Sequence, residues 1–321
     1  MPGVVPVSGD TMRCAGPTVT LPRLGTIRTH ESTRKLGRRL ESGTARILSA
    51  TVSRRAQRWF VSFTVEVEHA VPRHPRPGTA VGIDLGVKTL MVAVDSTGRE
   101  FTVAGPRPLA ASLRKLRRAS RVHSRKAKGS ANRHRHAAAL ARIHARVANV
   151  RADALHKATT DLARRYETVV IEDLNVAGMS RNRRLARAIS DQGFGQARRM
   201  LTYKTDWNGG RLIVADRWFP SSKTGSGCGA VKAKLLLSER IYACTSCGLV
   251  ADRDVNAARN LLQLAASGAE SQNACGGTVR PGLAGRVLVK QEPGAARAGR
   301  PGPAAGNRWL RDGNSGMLPD S

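Results

Sequence analysis

Short apolar strands that alternate with helical segments restrict the fold of this chain more than any other feature. Residues 168–171 form one buried run, and RLIVAD (211–216) forms another after a helical stretch at about 185–203. Earlier, TAVGIDLGV (79–87) is followed by TLMVAVD (89–95). Strands that alternate with helices are typical of an α/β fold, and we predict that class.

The remaining segments are distinguished by their periodicity and composition. Residues 46–67 hold two alternating runs around an RRAQ turn, which predicts a β-hairpin, and 71–78 contain three prolines, which predicts a linker. Residues 110–166 have a helical period with a break near 128–130, and the first of the two helices is basic almost all round. From about residue 267 onward Gly, Pro, Ala and Arg dominate, which is typical of disorder.

The charge of the chain points to a polyanionic partner. Lys and Arg number 54 against 23 acidic residues, a formal net charge of +31. A surface this positive binds polyanions because it releases their counterions, so DNA or RNA is the expected partner. GC-rich coding also enriches Arg, Ala and Gly, but it seldom leaves so few acids. The sequence shows no targeting segment and no run of eighteen apolar residues, so we expect no membrane contact and a cytoplasmic, nucleoid-associated location.

A cluster of cations in the first basic helix is the candidate surface for nucleic-acid binding. Because this helix has few apolar residues to bury, contacts with a phosphate backbone are one interpretation, and a solvated helix face is the other. The candidate residues are Arg114, Lys115, Arg117, Arg118, Arg121, Arg125 and Lys126.

Three of the five cysteines have metal-ligand spacing. Cys228 is followed by Cys244-Thr245-Ser246-Cys247, which matches a four-thiolate zinc ribbon except that Gly225 stands at the first ligand position. Three thiolates with a water molecule could hold Zn²⁺, although a structural site normally has four protein ligands. The alternative is three reduced cysteines in a loop.

Three acids stand where strands end or a helix begins. Asp84 and Glu172 each end a hydrophobic strand, and Asp254 begins the helix of VNAARNLLQL. Side chains at such positions can converge in an α/β sheet, and convergent carboxylates can hold the Mg²⁺ or Mn²⁺ ions that hydrolyse a phosphodiester. Each acid by itself is also explained as a turn or helix-cap residue.

The motifs around the three acids resemble, in the same order, those of the OrfB/TnpB family of transposon-encoded proteins. They read GIDLGVKTL, VVIEDLNVAGM and DRDVNAARNLL, and the resemblance extends from about residue 21 to 264. It implies that Asp84, Glu172 and Asp254 are the catalytic metal ligands of a RuvC-type nuclease, and it gives no catalytic role to Asp95, Asp173 or Asp252. Family members usually have further sequence before the point where this chain begins.

The resemblance also implies the domain organisation. We expect an RNase H-like (RuvC) α/β domain with an inserted zinc-ribbon-like segment, preceded by a partial β-rich nucleic-acid-binding module. The expected boundaries are an irregular N-terminus (1–25), the partial module and linker (26–78), the RuvC-like domain with inserted basic helices (79–220), the ribbon-like segment (221–252), the final RuvC helix (253–266) and a disordered basic tail (267–321).

The function implied by the resemblance is that of a transposon-associated, metal-dependent DNA endonuclease directed by a guide RNA. A guide would select the target by base pairing, while the protein reads the shape of the duplex and a short flanking motif. Two alternatives remain open from the residues. One is a nucleic-acid-binding regulator or a damaged transposon remnant that does not cut. The other is an actin-like ATP-dependent sugar kinase, which GIDLGVKT fits but the charge and DRDVNAARN do not.

Overall fold

The first part of the molecule is rich in β-structure. The structure, a computed structural model, describes residues 12–68, 70, 72–236, 238–267 and 287–290. The elements of its first part are β1 (Arg13–Ala15), β2 (Thr18–Leu21), β3 (Gly25–Arg28), α1 (Arg34–Glu41), β4 (Ala45–Arg55) and β5 (Arg58–Val67). Strands β1 to β3 form an antiparallel sheet, and β4 and β5 form the predicted hairpin. Buried side chains of both sheets, including Val19 and Ile47, share one hydrophobic core.

The prediction of an irregular N-terminus is wrong for residues 13–25. Strands β1 and β2 and the start of β3 lie in that range, whereas residues 1–11 lie outside the described part. The turn glycines explain the error, because Gly16 and Gly25 both have a positive φ and lie at strand boundaries. Strands of three or four residues are too short to show an alternating pattern, so only the Gly- and Pro-rich turns were visible in the sequence.

A five-stranded sheet with helices on both faces forms the second part. Its elements are β6 (Ala80–Asp84), β7 (Met91–Asp95), β8 (Glu100–Val103), α2 (Pro108–Ser124), α3 (Ala131–Arg165), β9 (Thr168–Glu172), α4 (Val176–Met179), α5 (Ala186–Gln192), α6 (Phe194–Trp207), β10 (Arg211–Ala215), β11 (Ile241–Ala243), β12 (Val250–Asp252) and α7 (Arg253–Ser267). The strand order is β10-β9-β6-β7-β8, in which β6, β9 and β10 are parallel and β7 is antiparallel to both of its neighbours, β6 and β8. The predicted α/β class is confirmed.

The two faces of this sheet pack against different helices. On one face, Ile83 and Ile171 pack with Leu155 of α3 and Leu201 of α6. On the other face, Val170 packs with Leu261 of α7. Helix α7 also approaches β6 very closely, because a Cβ atom added at Gly82 would lie 2.1 Å from the carbonyl oxygen of Ala258. The absence of a side chain at Gly82 therefore sets the distance between α7 and the sheet.

The helical regions follow the prediction with two corrections. The break near residue 129 is confirmed, since α2 ends at Ser124 and α3 begins at Ala131. The helical stretch predicted at 185–203 is divided into two helices, because Gly193 adopts a left-handed conformation (φ 71°) between α5 and α6. Helix α2 is also less uniformly basic than predicted, since it buries Leu116 and packs against α3.

A last strand follows α7 after a gap in the described residues. Strand β13 (Val287–Lys290) pairs antiparallel with β5, so four residues of the predicted disordered tail are ordered. The rest of that predicted tail, after residue 267, lies outside the described residues. Within the described residues, the helices are too short or too polar to cross a membrane.

Candidate metal centre

The register of two parallel strands brings Asp84 and Glu172 to one edge of the sheet. Pairing of β6 with β9 runs from Ala80 opposite Thr168 to Ile83 opposite Ile171, and the two acids come next on their strands. Alternate residues of a strand face the same side, so Asp84 shares the face of Gly82, and Glu172 shares the face of Val170. Both of those residues contact α7. The two carboxylates therefore lie on the α7 side of the sheet.

Helix α7 supplies the third acid on that side. Asp254 lies in the first turn of α7, where a negative charge interacts favourably with the helix dipole. The preceding strand residue, Asp252, caps the helix, because its Oδ1 accepts hydrogen bonds from the backbone N–H groups of Asp254 (2.9 Å) and Val255 (3.2 Å). Asp252 thus fixes the start of the helix that carries Asp254.

The three acids interact electrostatically. Burial raises the pKa of Asp84 well above its usual range, and the negative charges of Glu172 and Asp254 raise it further. Burial also raises the pKa of Glu172, and Asp254 adds to the effect. The guanidinium of Arg253 opposes these shifts at both carboxyls. Such mutual repulsion is what a bound cation would relieve.

The side chain of Glu172 is held in place, and its neighbour points elsewhere. The Ser221 hydroxyl donates a hydrogen bond to Glu172 Oε1. Asp173, in contrast, forms ion pairs with Arg198 of α6 and, at 2.8 Å, with Arg217. Neighbouring residues of a strand face opposite sides of the sheet, and these contacts agree with that geometry.

Asp95 has a structural role. Its carboxylate accepts hydrogen bonds from the backbone and hydroxyl of Thr97 (2.9 and 2.6 Å), the N–H of Arg99 (3.1 Å) and the hydroxyl of Tyr166 (3.0 Å). Burial works to raise its pKa, but these hydrogen bonds outweigh it and the pKa is lowered. Burial and the bond to Asp95 raise the pKa of Tyr166 to about 12.

The donor set of Asp84, Glu172 and Asp254 fits divalent ions that prefer oxygen. Carboxylates suit Mg²⁺ and Mn²⁺, and the pKa values of Asp84 and Glu172 are raised first by burial and then by neighbouring negative charge, both of which a bound cation would offset. Sites of this kind can hold a pair of ions about 3.5–4 Å apart.

Two buried asparagines of α7 were missed by the sequence analysis. Asn256 exchanges hydrogen bonds with the loop before the cysteines, accepting from Ser226 N (3.0 Å) and donating to Thr224 O (2.7 Å). Asn260 donates to the carbonyl oxygens of Ser221 (2.7 Å) and Thr224 (2.6 Å). Their spacing of four residues on the buried face of a helix was the available signal. They hold the loop that carries Ser221 against α7.

The three predicted cysteines form a compact cluster with one open side. Their sulfur atoms lie within 4.8 Å of one another, and Cys228 Sγ is 3.6 Å from Cys244 Sγ. Tetrahedral zinc with Zn–S bonds of about 2.3 Å places sulfurs about 3.8 Å apart, so the spacing fits. Backbone N–H groups of Cys247 and Ser246 lower the pKa of Cys244 to about 6, which favours the thiolate.

Gly225 faces this cysteine cluster. A Cβ atom at position 225 would lie 3.4 Å from Cys244 Sγ and 3.5 Å from Cys228 Sγ. A side chain there would therefore point into the cluster, at the position where a fourth ligand is required.

The predicted basic residues line the outer side of α2 and the turn after it. Arg114, Lys115, Arg117, Arg118, Arg121 and Arg125 are exposed, and Lys126 is partly buried. None of the seven takes part in the ion pairs found within the described residues. They are therefore available to an anionic partner.

Family models match two regions of the chain. Residues 62–183 match the OrfB_IS605 model, described as "Probable transposase", and residues 194–261 match a model described as "Cas12f1-like, TNB domain". The first region includes Asp84 and Glu172, and the second includes the cysteine cluster and Asp254.

Curated relatives cover most of the chain. A Streptomyces pristinaespiralis protein named "Putative RNA-guided DNA endonuclease" is 48% identical over 79% of this chain and 61% of its own length. A Mycobacterium tuberculosis relative of the same general name is 40% identical over 90% of this chain and 61% of its own length. The Escherichia coli K12 relative InsQ is 34% identical over 86% of this chain and 67% of its own length. This chain thus spans about three fifths of the length of the first two.

A solved structure shares the fold. The chain is similar to one in a structure titled "Cryo-EM structure of the Cas12f1-sgRNA-target DNA complex", with a TM-score of 0.51 and 17% identity over 72% of this chain and 48% of that chain. At this identity the similarity concerns the fold alone.

Proposed function

Since the chain belongs to the OrfB/TnpB family of transposon-associated proteins, we propose that it acts in an RNA-guided DNA endonuclease and that Asp84, Glu172 and Asp254 are its catalytic metal ligands. One observation carries the proposal. Each acid is supplied by a different family motif and lies on the α7 side of the sheet, where burial raises the pKa of Asp84 and the charges of Glu172 and Asp254 raise it further.

Each residue of the site has a distinct part in this proposal. Asp84 and Glu172 present oxygen ligands from adjacent parallel strands, and Asp254 presents a third from the start of α7. The Ser221 hydroxyl orients Glu172, while the Arg253 guanidinium opposes the rise of the pKa at Asp84 and Glu172. Bound Mg²⁺ or Mn²⁺ would activate the attacking water and stabilise the leaving oxygen.

The finer architecture is also part of the proposal. The central sheet and α7 would form an RNase H-like (RuvC) domain, residues 221–252 a zinc-ribbon-like segment, and the sheets before residue 68 a nucleic-acid-binding module. The fold shared with a Cas12f1 structure and the net charge of +31 support this division. DNA and a guide RNA would be the partners, with the exposed cations of α2 in contact with phosphates, and the location would be the nucleoid in the cytoplasm.

A second candidate function is supported by the cysteine cluster. Gly225 leaves the ribbon with three thiolates, which would weaken zinc binding and the support of the neighbouring Asp254. A chain that binds nucleic acid but cuts poorly, as a transposon remnant or regulator, would have these features. The sugar-kinase alternative is not retained, because the family relationship covers the GIDLGVKT motif as well.

A cleavage assay tests the proposed function. The purified protein, loaded with RNA recovered from its own locus, is incubated with a matched DNA target and Mg²⁺. We expect cleavage by the wild type and no cleavage by Asp84→Ala. Asp153→Ala is the matched control, since it removes a carboxylate that is 63% exposed and paired with Lys157 on the surface of α3. Binding without cutting, at the level of the Asp84→Ala variant, would sink the nuclease proposal and favour the second candidate.

A further inference from the structure

Trp218 is the most exposed large apolar side chain among the described residues, with 84% of its surface accessible to solvent. Trp59, the next, is 68% exposed and has the Arg54 guanidinium 5.6 Å from its ring centre. Within the described residues, the ring–ring and cation–ring contacts do not include Trp218. Both faces of its indole are therefore open to a planar ligand.

The backbone that carries Trp218 is firmly held. It follows β10, and the Asp216 side chain accepts a hydrogen bond from the Trp218 N–H (2.8 Å). The next residue, Phe219, donates its N–H to the Asp216 carbonyl (3.0 Å) and packs its ring against the core between the sheet and α7. An exposed indole on an ordered turn loses little conformational entropy when a ligand binds.

This turn lies beside the proposed metal site. Ser221, three residues after Trp218, donates a hydrogen bond to Glu172. The backbone of Trp218 is therefore at most about 11 Å from that of Ser221. A nucleic-acid strand covers this distance with about three nucleotides, at about 3.4 Å per base. The preceding residue, Arg217, is half exposed and forms an ion pair with Asp173 at 2.8 Å.

We propose that Trp218 is a stacking platform for an unpaired base of the DNA strand that is cut, placed a few nucleotides from the scissile phosphate. The proposal rests on the proposed nuclease function and adds a substrate-positioning residue to it. Every base has a π-face, so a single indole can hold a strand of any sequence beside the carboxylates. Stacking requires an unpaired base, which makes a locally single-stranded segment the expected substrate at this position.

A binding assay tests the proposal without the need for cleavage. The full chain is titrated, in EDTA, with a labelled single-stranded DNA and with an abasic strand of the same length and charge. We expect Trp218→Ala to weaken binding of the DNA by about 5- to 100-fold and to leave the abasic strand unaffected. Trp218→Tyr should retain most of the affinity, whereas Trp218→Leu, which is apolar without a π-face, should not.

The salt dependence separates stacking from charge. Loss of stacking shifts the affinity at every salt concentration but leaves the slope against log[salt] unchanged, because no phosphate contact is lost. The proposal would be overturned if Trp218→Ala bound the DNA as tightly as the wild type, or if its affinity for the abasic strand fell by the same factor. Since no catalysis is involved, a failed cleavage assay would leave this result standing, and a failure here would leave the nuclease proposal standing.

Discussion

Gly82 sets the distance between α7 and the sheet, and Gly82→Ala tests whether that distance matters for the acids. The added Cβ atom would lie 2.1 Å from Ala258 O and 2.4 Å from Leu262 N, both backbone atoms of α7. Since non-bonded contacts of carbon normally require about 3.5 Å, α7 would have to retreat by roughly 1 Å or more. Asp254 would move with the helix, away from Asp84 and Glu172, which stay on the strands.

The expected cost can be divided between stability and catalysis. Overpacking of this kind costs about 1–3 kcal/mol, which lowers Tm by roughly 2–12 °C in a chain of this size. A displacement of about 1 Å of a metal ligand should slow cleavage by about 100-fold. The assays are thermal denaturation and cleavage of a matched target by the RNA-loaded protein.

Gly195→Ala is the matched control for the same substitution. Gly195 lies on the exposed side of α6, has no positive φ, and has no atom within 4 Å of an added Cβ. We expect it to raise stability by about 0.5–1 kcal/mol and to leave cleavage unchanged. If Gly82→Ala matched Gly195→Ala in both Tm and rate, the argument that α7 positions Asp254 would be refuted.

Three further predictions concern the same region. Asp84→Asn should make the metal-free protein more stable at neutral pH. A carboxyl whose pKa is raised in the folded state contributes stability below its ordinary pKa, and this contribution is lost as the pH rises through the folded-state pKa. An uncharged amide at position 84 does not incur this loss, so the variant should be the more stable protein at neutral pH. Denaturation in EDTA across pH checks this, and a variant that is less stable at neutral pH would contradict it. Ser221→Ala removes the hydrogen bond that orients Glu172, so activity or Mg²⁺ affinity should fall by about 10- to 100-fold. Titration of cleavage with Mg²⁺ measures this, and a titration curve equal to that of the wild type would show that Ser221 has no part in the site. Gly225→Cys completes a four-thiolate set, with a small shift of the Tyr242 hydroxyl that lies 3.1 Å from the added Cβ atom. If each of four ligands contributes a quarter of the zinc-binding free energy of about 10–16 kcal/mol, the variant should bind Zn²⁺ roughly 100-fold more tightly. Unchanged zinc affinity in a chelator competition would contradict this prediction.

The sequence was most informative where a pattern extends over many residues. The hairpin β4–β5 and the long helix α3 were predicted because alternation and helical periodicity persist through them. The strands of β1 to β3 were missed because they are three or four residues long, and the division of α5 from α6 was missed because it depends on the backbone of Gly193 alone.

For the site, the order of the motifs singled out Asp84, Glu172 and Asp254, but it said nothing about their surroundings. Ser221, Asn256 and Asn260 were not identified, because their roles come from contacts between segments 30 to 49 residues apart. Hydroxyl and amide side chains carry no charge, and the four-residue spacing of the two asparagines does not by itself reveal which segment they contact.

The sequence by itself determined the class of fold and the glycine at the position of a fourth thiolate, because periodicity and spacing are sufficient for these, and the resemblance of its three ordered motifs to a known family singled out the three acids. Only the tertiary structure decided that Glu172 faces α7 while Asp173 pairs with Arg198 and Arg217. It also decided that Gly225 faces the cysteine sulfurs. Both outcomes depend on which faces of the strands, helices and loops are brought together, and that arrangement is set by the packing of the folded chain as a whole.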